Sequence, residues 1–358
     1  MSDPPPPERS GWKARRHRRR DRQRAALQAE VATHDPSDVA HFEKTARRYF
    51  REAIRAKLRE HMQAPWDDDG AHGLRVVIDL GMQELMCDAE RRSLVTQLQL
   101  SYADPLRLAV DAVEKASAPD ASSRSSRALE RSHDGSFSSA STSSQRHRAL
   151  EKADDALGRF ERSPATRLLF SSLSGVFESV LANDEGSARW SVRRSARRFD
   201  EAIAELPGAG ASAENTKESA FPRDDFFAVP RSFRRNSIVV LSPDADATFP
   251  LHEPLDTRAI YVVGGLCDYR RVEGATLRRA AAASGDVVAK RLPIEDAFGT
   301  NASVNILTVN QTVEILSRVA RNGGDWRAAL LETLPERKLR EMRARSSLSA
   351  PPAETREA

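Results

Sequence analysis

Between Phe42 and Leu58 the apolar residues Phe42, Ala46, Tyr49, Phe50, Ala53, Ile54 and Leu58 recur at three- and four-residue steps. That period predicts a helix with one apolar face, opposite Lys44, Arg47, Arg48, Arg51, Arg55 and Arg59. Pro65 ends the element. A different pattern follows. Leu74-Arg-Val-Val-Ile-Asp-Leu80 is a short apolar run of strand type, and Asp88 is a helix N-cap candidate ahead of Leu94, Val95, Leu98 and Tyr102 on one face. Further strands are predicted at Thr166–Phe170, Ser237–Leu241, Ala259–Val263 and Val287–Arg291, alternating with helices at Glu273–Ala283 and Thr308–Ala320. Strands that alternate with helices in this way predict a largely parallel α/β sheet.

Two stretches interrupt the pattern, at about 116–148, rich in serine, and at about 206–225, poor in core formers; both read as low-complexity insertions. A hydrophobic fraction of 39% over 358 residues agrees with a chain that is not all core. The expected layout is a disordered basic arm at 1–40, a basic amphipathic helical extension at 41–70, one α/β domain at 71–338 and a disordered tail at 339–358.

The formal net charge is only +4, yet the first 25 residues join Pro4–Pro7 to a dense run of arginines. Like charge at that density cannot pack into a core. It reads either as a solvated arm or nuclear-import patch, or as an arm that neutralises RNA phosphates. Asp3 and Glu8 weaken a mitochondrial presequence reading, which needs an acid-poor segment. Cys87 and Cys267 are the two cysteines, far apart and without a histidine cluster, so neither a disulfide scaffold nor a zinc site is expected. No apolar run reaches the roughly 18–20 residues of a membrane span. The expectation is a soluble protein of the nucleus and/or cytoplasm, with no metal.

The chemistry centres on Ala259-Ile-Tyr-Val-Val-Gly-Gly-Leu-Cys-Asp268, where a strand runs into two glycines and then a carboxylate. Glycines at the carboxyl end of a parallel strand let the backbone approach a ligand closely. Taken by itself such a pair is more often a plain turn than a binding loop. It is no dinucleotide fingerprint, since no G-x-G-x-x-G follows the strand, and Leu80-Gly-Met-Gln-Glu84 after the first strand does not supply one either.

Leu241-Ser-Pro-Asp244, Arg291-Leu-Pro-Ile294 and Ile306-Leu-Thr-Val-Asn-Gln311 each lie where a strand ends or a helix begins. With Val77-Ile-Asp-Leu80, the run Glu90-x-x-Ser-Leu-x-x-Gln-Leu-x-x-x-Tyr102, Gly264-Gly-Leu-Cys-Asp268, Trp190 and Asp325-Trp326, their order resembles the tRNA guanine-9 N1-methyltransferase family of the SPOUT class. The resemblance covers about 74–110 and 164–338. It implies a SPOUT-type parallel sheet ending in a C-terminal trefoil knot, an exception to the rule that chains do not thread loops. It also implies a monomer that methylates tRNA with S-adenosylmethionine. The cofactor would meet Leu241, Ser242, Gly264, Gly265, Leu266, Leu292, Pro293, Ile294, Leu307, Thr308 and Val309. Asp268 takes the position of the proposed base, with Asp79 and Asp244 as supporting carboxylates; for these two the alternative is a helix cap or an arginine partner. Lys13, Arg15, Arg16, Arg18, Arg47, Arg48, Arg51, Arg270 and Arg271 are the candidate RNA contacts. Arg270 stands where the family pattern has asparagine, which leaves guanine or adenine open as the target. The rival reading is a tRNA-binding subunit of a processing complex with weak or absent activity.

Overall fold

The computed structural model describes residues 36–66, 73–117, 142–160, 164–183, 186–206, 237–267, 272–299 and 307–340. Six strands, β1 (Arg75–Asp79), β2 (Arg167–Ser171), β3 (Arg193–Arg194), β4 (Ile238–Leu241), β5 (Ile260–Gly264) and β6 (Val287–Lys290), form one sheet in the order β3-β2-β1-β5-β4-β6. Every pairing is parallel. The predicted parallel α/β sheet is therefore found, with strand positions within a residue or so of those read from the apolar runs.

All residues of β1 and β2 are buried, which explains why they read as runs rather than as alternations: both faces of the sheet are covered. On one face Trp66, Val77, Leu169, Phe199, Ile203, Val240 and Val262 share a hydrophobic core. In the register, Val77 lies between Leu169 and Val262, and Asp79 between Ser171 and Gly264. The C-terminal ends of the central strands are thus level, and the residues that follow them share one rim.

The helices include α1 (Pro36–Gln63), α2 (Asp88–Ser117), α3 (Thr142–Leu157), α4 (Gly175–Asn183), α5 (Phe199–Ala204), α6 (Ala275–Ala281), α7 (Ile294–Phe298), α8 (Val309–Arg321) and α9 (Trp326–Thr333). Several depart from the sequence expectations. Helix α1 begins at Pro36, inside the expected arm. Asp88 lies in the first turn of α2 rather than capping it; the N–H of Cys87 is taken by Glu90 Oε2 at 2.7 Å, half of a capping box. Helix α3 occupies the end of the supposed serine-rich insertion. Its buried face is Ala149, Ala153, Ala156 and Leu157, and alanines carry too weak an apolar signal to stand out among serines and charges. The two-residue edge strand β3 and the short α4 and α5 were not anticipated. The rest of the arm, the 206–225 stretch beyond Leu206 and the tail beyond Arg340 lie outside the described residues.

The chain forms two compact units. The first comprises residues up to Ile54 and Val113–Arg159. In it, Arg47 Nε meets Glu114 Oε1 at 2.5 Å, Arg51 pairs with the same carboxylate, and the Arg146 guanidinium lies 5.5 Å from the Tyr49 ring centre. The second, Arg55–Ala112 with everything from Phe160, holds the sheet. Here the end of α1 is fixed by two arginines. Arg167 donates to the carbonyls of Ala64 and Pro65, and Arg193 to those of Gln63 and Ala64. Guanidinium groups suit a helix C-terminus, whose last carbonyls lack helical partners and carry the negative end of the dipole. The anchored end delivers Leu58, Met62 and Trp66 to the interior.

Candidate active site at the rim of the sheet

A cavity of about 180 Å3 opens beyond the C-terminal ends of β4, β5 and β6. That is where open parallel sheets bind ligands, because the loops that leave the strands diverge there. Its wall is made in four pieces: Leu241–Asp244 after β4, Val263, Gly264 and Leu266 after β5, Arg291, Leu292, Ile294 and Glu295 after β6, and Leu307, Val309 and Thr312 at the start of α8. Val272, Ala275 and Thr276 close a further side at the start of α6. Leu241, Leu266, Leu292, Ile294, Leu307 and Val309 make an apolar slot, and Ser242, Asp244, Thr276, Arg291 and Thr312 place a few polar groups around it. A slot of this kind, with few polar anchors, suits a flat heteroaromatic ligand.

The sequence-derived cofactor positions therefore converge, with three exceptions. Thr308 caps α8 instead: its hydroxyl accepts from Gln311 N–H while the Gln311 amide oxygen accepts from Thr308 N–H. Pro293 is buried ahead of α7. Gly265 faces away from the cavity. Its N–H donates to Asp79 O at 2.8 Å, and a β-carbon there would lie 2.8 Å from that same oxygen and 2.7 Å from Leu80 Cδ2. The missing side chain lets two strand ends pack together. Gly264 does line the cavity, and a β-carbon on it would stand 2.8 Å from Thr276 Oγ1.

The supporting carboxylates differ. Asp244 sits on the cavity wall, half-buried, where Oδ2 accepts from Gly274 N–H at 2.9 Å and so holds the approach to α6. Asp79 is buried and saturated. Ser172 Oγ donates to Oδ1 at 2.7 Å, Gly81 N–H to Oδ1 at 3.2 Å, Arg279 Nη2 to Oδ1 at 2.9 Å and Arg279 Nε to Oδ2. The arginine-partner alternative is the one found for Asp79. Asp268, Arg270 and Arg271 lie outside the described residues, as do Lys13, Arg15, Arg16 and Arg18. The flanks of 268–271 are described: Cys267 is buried, and Val272 lines the cavity.

Gln97 was missed as a site residue. Buried on α2, it accepts from Val309 N–H at 2.9 Å through Oε1 and directs Nε2 to Cys267 Sγ at 3.3 Å, bridging two walls of the cavity. The signal was present in the sequence: an amide at a position that shares the apolar stripe of Leu94 and Leu98 must find buried partners. Met86 Sδ adds a contact from Cys267 N–H at 3.3 Å. Trp190 stacks on Tyr102 with ring centres 5.7 Å apart, and Trp326 packs on Phe249 at 4.8 Å, both as scaffold.

Known proteins resemble the chain as follows. The model of a family described as tRNA (guanine(9)-N(1))-methyltransferase TRM10/TRM10A matches residues 8–156 and 156–339. The tRNA (guanine(9)-N(1))-methyltransferase Trmt10A of Drosophila melanogaster is 32% identical over 106 residues, 30% of this chain and 31% of that protein. The tRNA (guanine(9)-N1)-methyltransferase of Eremothecium gossypii is 31% identical over 172 residues, 46% of this chain and 51% of that protein. The alignments thus span about a third to a half of the curated relatives' length. The crystal structure of full-length spTrm10 in complex with SAH matches 76% of this chain and 99% of that chain, at 18% identity and a TM-score of 0.42.

Proposed function

This chain belongs to the tRNA (guanine(9)-N(1))-methyltransferase TRM10/TRM10A family, and on that premise we propose that it transfers a methyl group from S-adenosylmethionine to ring N1 of the purine at position 9 of tRNA, forming 1-methylguanosine. The observation that carries the reading is the cavity. Four segments distant in sequence, all quoted for the family resemblance, meet in one apolar slot at the rim of the sheet. The trefoil knot and a monomeric state belong to the same reading.

The residues present fit the cofactor. The slot between Leu241, Leu266, Leu292, Ile294 and Leu307 accepts an adenine face, and Gly264 keeps one wall free of a β-carbon that would crowd Thr276. When bound, S-adenosylmethionine supplies an electrophilic sulfonium methyl. The protein's tasks are to hold the target base in line with it, to exclude water and to manage one proton. Guanine N1 carries a proton at neutral pH, so a carboxylate beside it speeds the transfer by accepting that proton as the methyl arrives. Asp268, joined to the buried Cys267, is the residue proposed for this. Asp244, tied to Gly274, shapes one wall of the cavity. Extracting the base from its stack costs a few kcal/mol, which contacts to the tRNA backbone by Arg270, Arg271 and the basic arm offset.

Purified chain incubated with unmodified tRNA and methyl-labelled S-adenosylmethionine is expected to place label at N1 of position 9, and more on guanine-9 than on adenine-9 tRNA. Tight tRNA binding without label at position 9 overturns the proposal in favour of a binding subunit. Asp268→Asn is expected to bind S-adenosylhomocysteine normally and to lower the transfer rate, more at neutral pH, where guanine N1 carries its proton, than at alkaline pH, where that proton is lost without help.

A further inference from the structure

We infer that Arg279 is a positioning residue for methyl transfer: its ion pair with Asp79 fixes α6 to the end of β1 and so sets both flanks of the 268–271 segment. This rests on the methyl-transfer reading above. The Asp79 carboxylate is only 3% exposed and receives donors from three directions: the Ser172 hydroxyl, the Gly81 N–H and the two-pronged guanidinium of Arg279. Three of these hydrogen bonds fall on Oδ1 and one on Oδ2, so both oxygens are held and the group is shut away from solvent. Enclosed in this way, Asp79 acts through what it holds.

It holds two things. Its main-chain oxygen accepts from Gly265 N–H at 2.8 Å, fixing the chain just before Cys267. Its side chain holds Arg279, whose helix α6 begins with the cavity residues Ala275 and Thr276 and is the first element after the 268–271 segment. One residue therefore anchors the entry to that segment by backbone and its exit by charge. Arg279 also donates to Gly81 O at 3.3 Å and to Ser172 Oγ at 3.1 Å. Ser172 has φ +54°, the left-handed region a serine seldom enters, and it presents its hydroxyl between the two charged groups. A strained residue held at the junction of β1, β2 and α6 marks a place where geometry is tightly specified.

The test compares Arg279→Met, Arg279→Lys, Asp79→Asn and the Asp79→Asn/Arg279→Met double variant in the full chain. Three readouts are used: single-turnover transfer to tRNA, calorimetric binding of S-adenosylhomocysteine, and amide exchange across 264–267 and 272–281 without ligand. Arg279→Met is expected to lower transfer roughly 10- to 100-fold, the scale of a small misplacement at a reacting centre, and to speed exchange in both segments. Arg279→Lys, which keeps the charge but loses the fork, should recover part of the rate. The double variant should be no slower than the worse single one, because both remove the same link. The pH dependence of the rate should keep its shape throughout. Loss of a limb of that profile in Asp79→Asn overturns the inference by making Asp79 a base. Weaker tRNA binding at unchanged transfer rate in Arg279→Met overturns it by making Arg279 a phosphate contact. If Arg279→Met does not fold, Arg279→Lys decides: wild-type rate and exchange overturn the inference, and intermediate values support it. A wild-type chain that moves no methyl overturns the methyl-transfer reading itself, whereas an active wild type matched by Arg279→Met overturns the clasp alone.

Discussion

The rim of one sheet carries two opposite kinds of ground. Over β1 and β2 it is closed and polar: Asp79 is buried, and four hydrogen bonds from Ser172, Gly81 and Arg279 hold its carboxylate. Over β4, β5 and β6 it is open and largely apolar, and Asp244 stands half-buried on a cavity wall. Both carboxylates follow parallel strands, and sequence position alone gives them equal standing. Accessible space separates them. A saturated carboxylate orders its neighbours; an open rim admits a ligand. The difference can be probed with variants that belong to one side or the other.

The largest effect is expected at another saturated acid. Asp200 is buried and accepts two hydrogen bonds of 2.6 Å from Arg198 and two of 2.7 Å from Ser284. Burial by itself pushes its carboxyl up, but the hydrogen bonds from Arg198 and Ser284 outweigh this and hold it well below the usual range. Its folded pKa is depressed. Its contribution to stability is therefore full above the ordinary carboxylate value of about 3.9 and is lost as pH falls below it. Asp200→Ala removes four hydrogen bonds to a charged acceptor and leaves a guanidinium that solvent still reaches, so it should cost about 1.5–3 kcal/mol at neutral pH. Denaturant melts across pH should show the gap between wild type and variant narrowing below about pH 4. A constant gap would mean that the loss is packing rather than charge.

Next in size are the adjacent glycines, which divide the rim between them. Gly265→Ala sets a β-carbon 2.8 Å from the main-chain oxygen of Asp79, an atom that cannot rotate aside. It should destabilise the fold by about 1–3 kcal/mol. Gly264→Ala meets Thr276 Oγ1 at 2.8 Å and Met82 Cε at 3.0 Å, both ends of side chains that can move, and points at the cavity wall. It should leave the melting temperature close to wild type while weakening S-adenosylhomocysteine severalfold by calorimetry. The reverse pairing of stability and affinity would break the assignment of one glycine to packing and the other to the ligand.

The sheet was readable because its signal is local. Leu74–Leu80 and Ala259–Val263 are apolar runs bounded by polar residues, and a parallel sheet with both faces covered requires runs of that kind. The cavity walls were readable because their motifs sit at strand ends. What escaped depends on partners far away in sequence. That Asp79 is saturated cannot be seen without Arg279 and Ser172, which lie 200 and 93 residues from it. Gln97 and Gly265 likewise take their roles from Val309 and Asp79. Helix α3 escaped for another reason: its buried face is mostly alanine, which gives periodicity too little contrast.

The smallest expected effect concerns the basic helix, where the same distinction between paired and available charge applies. Arg47, Arg48 and Arg51 were grouped as RNA contacts, yet Arg47 and Arg51 converge on Glu114, whereas Arg48 lies 3.8 Å from Glu52 with its side chain 63% exposed. Burial pushes the Glu114 carboxyl up, and the hydrogen bonds from Arg47 and Arg51 more than reverse this and lower it. Glu114 and Arg51 are partly covered and Arg47 is exposed, so Glu114→Gln, which keeps an acceptor for both, should change stability by about 1 kcal/mol. Its effect on tRNA is the sharper measurement. If Arg47 and Arg51 contact phosphates, removing the competing carboxylate should tighten tRNA binding, and Arg47→Gln should reduce the slope of log affinity against log salt by about one contact's worth. If they serve the first unit alone, neither variant should move that slope, and Arg48→Gln, which disturbs only an exposed pair with Glu52 and a contact with the Tyr49 ring, becomes the test of whether this helix face meets RNA.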